Sequence, residues 1–528
     1  MSGRGVIDLD TLTAEGVRWG ILKGRSITVL GLARSGVALA RFFADAGSEV
    51  TVYDGRTEAD LAESIEALGG RPIRLSLGPD VDPATAWPDA DLIATSPSIN
   101  PDFPTAEPRL RAALRDVVAA NRADPARRPA LVSETDLFVR MCPCPTIGVT
   151  GTKGKTTTSS LAAALLAADA AHPTILGGNI GIPLVERLPE LTPEHRVVIE
   201  LSELQLPTLS HGTTVAVYTN VTADHLDRHG SLDAYRQVKR RLADLVDPAG
   251  ALVLNADDPV VRDYRSSARA PIVTYRRSLP VPPGVGVRDG WIIASAIGCL
   301  PAAGGSGAHT GAGGRIMPVS ELAIPGEHNV SNAMAAIAAA LLFGVDPEAI
   351  RREAAAFTGV EHRLEQVAVV DGVRFINDSQ GTQPDAVIAG LRAFPRPLVL
   401  IAGGRDKGVD LSALGPVAAR RADAAVVIGE SGPALAELFR ACGMKRVEPA
   451  ASLEEAVDRA DEIARQLLRV EPAPGVAAVT GPATVLMSPA AASFDMFVDY
   501  AARGRAFRAA VAALAERRAA RSGGGVAT

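Results

Sequence analysis

Excess positive charge is the first thing this 528-residue sequence lacks: 54 Lys and Arg stand against 60 Asp and Glu, a formal net charge of −6. Without a basic footprint, a large nucleic-acid surface is excluded and no nucleic-acid partner is expected. Long apolar runs are also missing. The longest, AMAAIAAALLFGV from Ala333 to Val345, is too short to span a bilayer and reads as a buried helix, so no membrane partner is expected. The opening MSGRGVIDLDTL has no charged segment leading into an apolar stretch, so no signal peptide is expected and the cytoplasm is the expected compartment. Cysteine is scarce: Cys142, Cys144, Cys299 and Cys442 are badly spaced for zinc and read as free thiols in a reducing compartment.

Lysine is scarce too. Of the 54 cationic residues only Lys23, Lys153, Lys155, Lys239, Lys407 and Lys445 are lysine. In a chain that otherwise uses arginine, each lysine is worth inspecting, because a compact ammonium does chemistry that a guanidinium cannot.

The length predicts several domains, and the pattern predicts an α/β fold of three consecutive α/β domains. SITVLGLARSGVALARFFADAGSEVTVYD reads as a βαβ unit at the head of a Rossmann-like domain over 1–130, with a strand at Ser26–Leu30 and a further strand, ADLIATS, ending at Ser96. A second series, PTIGVT, RVVIELS (Arg196–Ser202), VAVYTNV (Val215–Val221) and ALVLNAD (Ala251–Asp257), predicts a central P-loop-type ATPase domain over 131–357. Its glycine-rich stretch Gly304–Gly314 reads as a flexible loop. A third series, VRFINDS, LVLIAGG, AAVVIG and TVLMSP, predicts a Rossmann-like domain over 358–528. Each of its strands ends in polar or glycine residues, where open α/β sheets hold their ligands.

The sharpest signal is GTKGKT, Gly151–Thr156, directly after a predicted strand and directly before a predicted helix. Glycines let backbone N–H groups converge on phosphate oxygens, and the helix N-terminus adds its dipole. Lys155 reaches the β- and γ-phosphates and the Thr156 hydroxyl ligates Mg²⁺. Gly151, Thr152, Lys153, Gly154, Lys155, Thr156 and Thr157 are therefore the expected ATP cradle, although Val149 stands where the usual P-loop has its first glycine. Glu200 at one strand end, and Asp224 and His225 at the next, suit an Mg²⁺ site beside that loop. The N-terminal turn Gly31-x-Ala33-x-x-Gly36, with Asp54 after the second strand, is a weak dinucleotide fingerprint. Lys239, among Arg236, Arg240 and Arg241, reads on residue type alone as part of a basic solvated helix face.

GTKGKT, GGNIGIP, ELSELQL, GEHNVSN, EHRLE, NDSQGT, GGRDKG and SPAAASFDMF together resemble the Mur ligase family, from Ile27 to about Leu514, and most closely its glutamate-adding branch. The resemblance implies an ATP-dependent, ADP-forming amide ligase of peptidoglycan precursor synthesis. It uses Mg²⁺, acts as a monomer, and joins glutamate to UDP-N-acetylmuramoyl-L-alanine through an acyl phosphate. The N-terminal domain would bind the UDP-sugar through Gly31 and Ser96, and the C-terminal domain would bind the amino acid and close. By the same resemblance, Lys155, His225 and Lys239 are catalytic; Thr156, Glu200, His225 and Lys239 hold metal, the last as a carbamate. Asn329, Asn332, Arg363 and Asp378 contact nucleotide. Asn179, Ser202, Gln205, Ser379, Gln380, Thr382, Lys407 and Ser493 contact the sugar-linked substrate or glutamate.

The sequence departs from the family pattern at Lys153, at Glu203-Leu204, and at Gln380, which replaces a lysine expected to bind the glutamate side chain. An uncharged donor weakens that contact, so D- and L-glutamate both stay open. Three further readings also remain: a folylpolyglutamate-synthase-like ligase, a nicotinamide-dependent dehydrogenase and a non-catalytic ATP-binding regulator.

Overall fold

The computed structural model describes residues 7–102, 106–123, 129–222, 226–303, 314–324, 326–406, 410–469 and 481–523. Two compact units divide the chain, Met1–Phe357 and Thr358–Thr528.

The first unit contains two sheets. Strands β1 (Ser26–Leu30), β2 (Glu49–Asp54), β3 (Ile73–Leu77), β4 (Leu92–Thr95) and β5 (Ala130–Ser133) form an all-parallel sheet in the order β3-β2-β1-β4-β5. The sequence-based boundary at 130/131 runs through β5. The chain between the two sheets is instead occupied by the helix Glu134–Met141, capped by the Ser133 side chain on Asp136 N.

The second sheet holds β6 (Thr146–Thr150), β7 (Thr174–Gly178), β8 (Arg196–Glu200), β9 (Val215–Tyr218), β10 (Ala251–Asn255), β11 (Ile272–Tyr275), β12 (Gly284–Arg288), β13 (Trp291–Ser295) and β14 (Gly314–Pro318). Its order is β14-β13-β12-β11-β10-β9-β6-β8-β7, parallel except for the antiparallel β12-β13-β14 edge. Every residue of β6, β8, β9 and β10 is buried, as expected of parallel strands covered on both faces. The helix Glu327–Leu342 is buried from Asn332 through Leu342, which is why its sequence is apolar all round.

The second unit has β15 (Glu365–Val370), β16 (Val373–Asn377), β17 (Leu398–Gly403), β18 (Ala424–Ile428), β19 (Val447–Pro449) and β20 (Ala483–Met487), in the order β15-β16-β20-β17-β18-β19. Only β15 runs antiparallel.

Several strands end earlier than the sequence pattern gives: β4 at Thr95, β8 at Glu200, β9 at Tyr218 and β10 at Asn255. After Glu200 the Gln205 side chain takes the Ser202 N–H, so the ladder stops. After Tyr218 the chain turns to wrap the loop that follows β6. Among the described residues no helix is long and apolar enough to cross a membrane, and all four cysteines are free.

Candidate active site

Central strand β6 delivers the chain into Gly151–Gly154 at the carboxyl end of the second sheet, between β8 and β9. The helix Lys155–Ala167 starts there, with Gly154 at the N-cap and no side-chain cap. Gly154 has φ 87°, and a Cβ on it would collide with the Asn332 carboxamide. Gly151 has φ 145°, and a Cβ there would strike the Thr219 hydroxyl. Neither position accepts a side chain.

The loop is braced by the segment after β9. Thr152 N donates to Asn220 O (2.7 Å), Lys153 N to Asn220 Oδ1 (3.0 Å), and Asn220 Nδ2 and Thr219 Oγ1 both donate to Lys153 O (2.8 and 2.7 Å). Lys155 Nζ donates to Thr152 O (2.8 Å), which folds the ammonium back over the loop. Thr156 is buried, Thr157 is half-buried and Lys153 is exposed. Asn332 is buried beside Gly154 and donates to Asn329 Oδ1 (3.0 Å), so one of the two asparagines expected to contact nucleotide also shapes the loop.

Glu200 ends β8 in register with Val149 of β6. Its Oε1 accepts from Asn179 Nδ2 (2.8 Å), while its buried Oε2 has no hydrogen-bond partner among the described residues. Such a carboxylate oxygen is costly unless something positive meets it.

Lys239 is completely buried, which corrects the solvated-face reading. It sits on the inward stripe Tyr235, Lys239, Leu242 of the helix Leu232–Leu245, a spacing of four and three that was legible in the sequence. Its Nζ lies 3.5 Å from Thr150 Oγ1 and 5.5 Å from the Tyr235 ring centre. Thr150 Oγ1 in turn donates to Leu201 O (2.8 Å), next to Glu200. The fold thus gathers Thr156, Glu200 and Lys239 around the end of β6. Asp224 and His225 lie outside the described residues, and among those described no group of three or more His, Cys, Asp or Glu side chains forms a metal cluster.

Ser202 and Gln205 serve the interior. Gln205 Oε1 accepts from Ser202 N and Oγ (both 2.9 Å), and its Nε2 donates to Thr135 Oγ1 (3.1 Å). All these atoms are buried, so the pair holds the loop after β8.

In the first sheet, neighbours β1 and β4 lead away to opposite sides, the place where such sheets bind ligands. Gly31 and Ser96 follow these two strands. A cavity of about 510 Å³ opens here, lined by Gly31, Tyr53, Asp54, Arg56, Ile99 and Glu107 among others. Burial would raise the Asp54 carboxyl, but hydrogen bonds from Arg56 and Leu32 N outweigh it and hold the group below its ordinary range. The carboxylate that a dinucleotide ribose would need is therefore already engaged.

In the second unit, Asp378 follows β16 and is buried. Burial pushes its carboxyl up to about 6, against the Ser488 hydroxyl (2.6 Å), the nearby Arg363 charge and Leu364 N (3.2 Å). Arg363 is exposed and Thr382 half-buried. Ser379 is fully buried, and its hydroxyl both donates to Tyr500 O (2.7 Å) and accepts from Arg503 Nε (3.0 Å), an internal brace. Gln380 Nε2 donates to Glu361 O (3.2 Å). Ser493 is buried, and its carbonyl accepts from Met496 N and Phe497 N. Lys407 lies outside the described residues.

Arg503 carried no sequence motif, yet it organises this unit. Although 1% exposed, it donates to Ser379 Oγ and O and to the Ala491 and Ala492 carbonyls. Burial lowers its guanidinium to about 10, so it keeps its charge at neutral pH.

The fold and the loop define a nucleotide-binding α/β protein of the phosphate-loop class. Residues 149–340 match the Mur ligase middle domain, and residues 362–468 match the Mur ligase glutamate ligase domain. The chain is 36% identical over 490 residues to the UDP-N-acetylmuramoylalanine–D-glutamate ligase of Symbiobacterium thermophilum, covering 92% of this chain and 97% of the relative. With the enzyme of the same name from Anaeromyxobacter dehalogenans it shares 38% over 497 residues, covering 92% and 97%. The chain belongs to the Mur ligase family. MurF from Acinetobacter baumannii shares the fold, with a TM-score of 0.51 at 17% identity over 96% of this chain and 98% of that one.

Proposed function

We propose that this protein is an ATP-dependent, ADP-forming ligase that joins D-glutamate to UDP-N-acetylmuramoyl-L-alanine in peptidoglycan precursor synthesis. The carrying observation is a phosphate loop, Gly151–Thr156, held beside a buried carboxylate oxygen of Glu200 and the buried Lys239. The relatives' shared name supports the substrate assignment.

The chemistry divides into two steps. The terminal carboxylate of the UDP-sugar substrate attacks the γ-phosphorus of ATP, the bond to the β,γ-bridging oxygen breaks, and ADP leaves an acyl phosphate. The glutamate amine then adds to the acyl carbon, and the tetrahedral intermediate collapses to amide and inorganic phosphate. The backbone N–H groups at the start of the helix Lys155–Ala167, together with the Lys155 ammonium, hold the phosphates in line, and Lys155 stabilises charge on the group in flight. Asn179 fixes Glu200 through its Oε1. The orphaned Glu200 oxygen and the Thr156 hydroxyl are oxygen donors of the kind Mg²⁺ takes, and Lys239, if carbamylated, adds another; His225 completes the expected set. Bound there, Mg²⁺ would supply charge neutralisation at the phosphates. Gly31 lines the cavity assigned to the uridine diphosphate, Ser96 at the end of β4 is assigned to the same ligand, and Asp378 and Arg363 are assigned to nucleotide. Gln380, Thr382, Lys407 and Ser493 are assigned to glutamate, with Ser379 holding their loop.

Gln380 favours one second reading, the same ligation with L-glutamate, because its uncharged amide is bonded to Glu361 O where a lysine would carry charge. Phosphate release from ATP with UDP-N-acetylmuramoyl-L-alanine, measured with D-glutamate, L-glutamate or neither, tests both. Release dependent on D-glutamate is expected. Dependence on L-glutamate would reassign the pocket, and release with neither would remove the ligase reading.

A further inference from the structure

A cavity of about 590 Å³ lies in the first unit, apart from every residue assigned above. Three pieces of chain wall it. These are the helix Ala14–Arg18 with the turn that follows, the last turn of the helix Arg34–Asp45, and the 3-10 segment Leu184–Glu190. Its floor is apolar: Phe42, Met141 and Leu188 are buried beneath it. The volume is that of a small-molecule pocket.

The charges around it are unequal in their commitments. Asp45 is held by Arg71 through two bonds (2.7 and 2.9 Å). Glu186 stands 3.4 Å from Arg41, and Arg187 is paired with Glu190. Among the described residues neither Arg18 nor Lys23 enters a hydrogen bond or an ion pair through its side chain, and both line the cavity. Lys23 is one of only six lysines, and no motif accounts for it. Its methylene stem lies against Gly47, whose Cβ, were one present, would sit 3.4 Å from Lys23 Cγ. The result is an apolar hollow with two uncommitted cations at its edge.

We propose that this cavity binds an amphipathic anion: an apolar body seated on Phe42, Met141 and Leu188, with a carboxylate or phosphate-ester head held by Arg18 and Lys23. Apolar burial supplies the affinity and the paired cations select the anion. An occupant touches the helix Arg34–Asp45, which starts at the Gly31 turn, and the 3-10 segment that begins five residues after Asn179. It therefore bridges the elements leading to the nucleotide-sugar cavity and to Glu200.

Isothermal titration of the full chain with decanoate, decanol and inorganic phosphate tests this, alongside two variants. One, Arg18→Glu with Lys23→Glu, changes only exposed side chains; the other, Val17→Trp, fills the hollow. Saturable decanoate binding below about 1 mM is expected, at least about tenfold weaker for decanol and for the charge-reversed protein, and absent in Val17→Trp. Phosphate alone should not bind, since the head without the body lacks the apolar contribution. The charge-reversed protein should keep its phosphate-release activity, because neither residue belongs to the active site. No decanoate binding, equal binding of decanol, binding of phosphate alone as tight as decanoate, or unchanged binding in either variant would each overturn the proposal.

Discussion

Gly154 and Lys155 show how narrowly single residues are constrained. A methyl group on Gly154 would drive into Asn332 at a φ that side chains avoid, so Gly154→Ala is expected to abolish ATP binding, read by titration with a non-hydrolysable ATP analogue. Lys155→Ala should lower phosphate release by about 100- to 1,000-fold while leaving the thermal unfolding midpoint nearly unchanged, because the lost bond is to a loop carbonyl and the lost function is transition-state charge. Asp378 supplies a pH dependence. Its carboxyl is raised to about 6 chiefly by burial, so the folded chain holds that proton more tightly than the unfolded chain. The stabilisation is complete below the ordinary carboxylate range and is lost as pH rises through about 6, a swing of about 3 kcal/mol. Urea unfolding of the second unit should show wild type weakening between about pH 4 and pH 7, and Asp378→Asn should flatten that slope.

At the scale of elements, the helix Tyr500–Gly523 reaches back through Arg503 to pin two loops, after β16 and after β20. Arg503→Met is expected to cost about 3–5 kcal/mol, since it strips buried carbonyls of their donor. Arg503→Lys should recover only part, because a point charge cannot serve acceptors spread over a planar fork. Denaturant midpoints check both. The helix Leu232–Leu245 carries the parallel lesson for Lys239. An arginine there keeps the charge but cannot become a carbamate, so Lys239→Arg should lower phosphate release by at least about 100-fold. Intact-mass measurement of wild type under bicarbonate should show the added CO₂ that the variant lacks.

Across the whole molecule, three sheets carry three expected ligand-binding ends, and the proposed ligation uses every one of them. Phosphate release should therefore require ATP, the UDP-sugar and glutamate together. UDP-N-acetylmuramoyl-L-alanine at about 100 times its Kd should raise apparent stability by about 2.7 kcal/mol, whereas NAD should leave the melting temperature where it was. Gln380→Lys should lower the KM for glutamate with kcat little changed, consistent with restoring a charge to ground-state binding.

What the sequence by itself determined is what is local. The strands showed as Val- and Ile-rich runs such as VVI and VAV, and the phosphate loop showed because strand, glycines, Lys-Thr and helix are consecutive along the chain. Glu200 was legible for the same reason, as the polar end of an apolar strand. Tertiary structure decided what depends on residues far apart. The spacing of Tyr235, Lys239 and Leu242 was legible, but only packing showed that this stripe and not the arginine face turns inward. Gln205 and Ser379 carry polar atoms that could have met substrate, yet Thr135, Tyr500 and Arg503 arrive from distant segments to engage them. Asn332 shapes a loop 178 residues before it (332 against 154). A side chain's type is written in the sequence, but whether its polar atoms are spent inside or offered to a ligand depends on which partners the fold brings within hydrogen-bond reach.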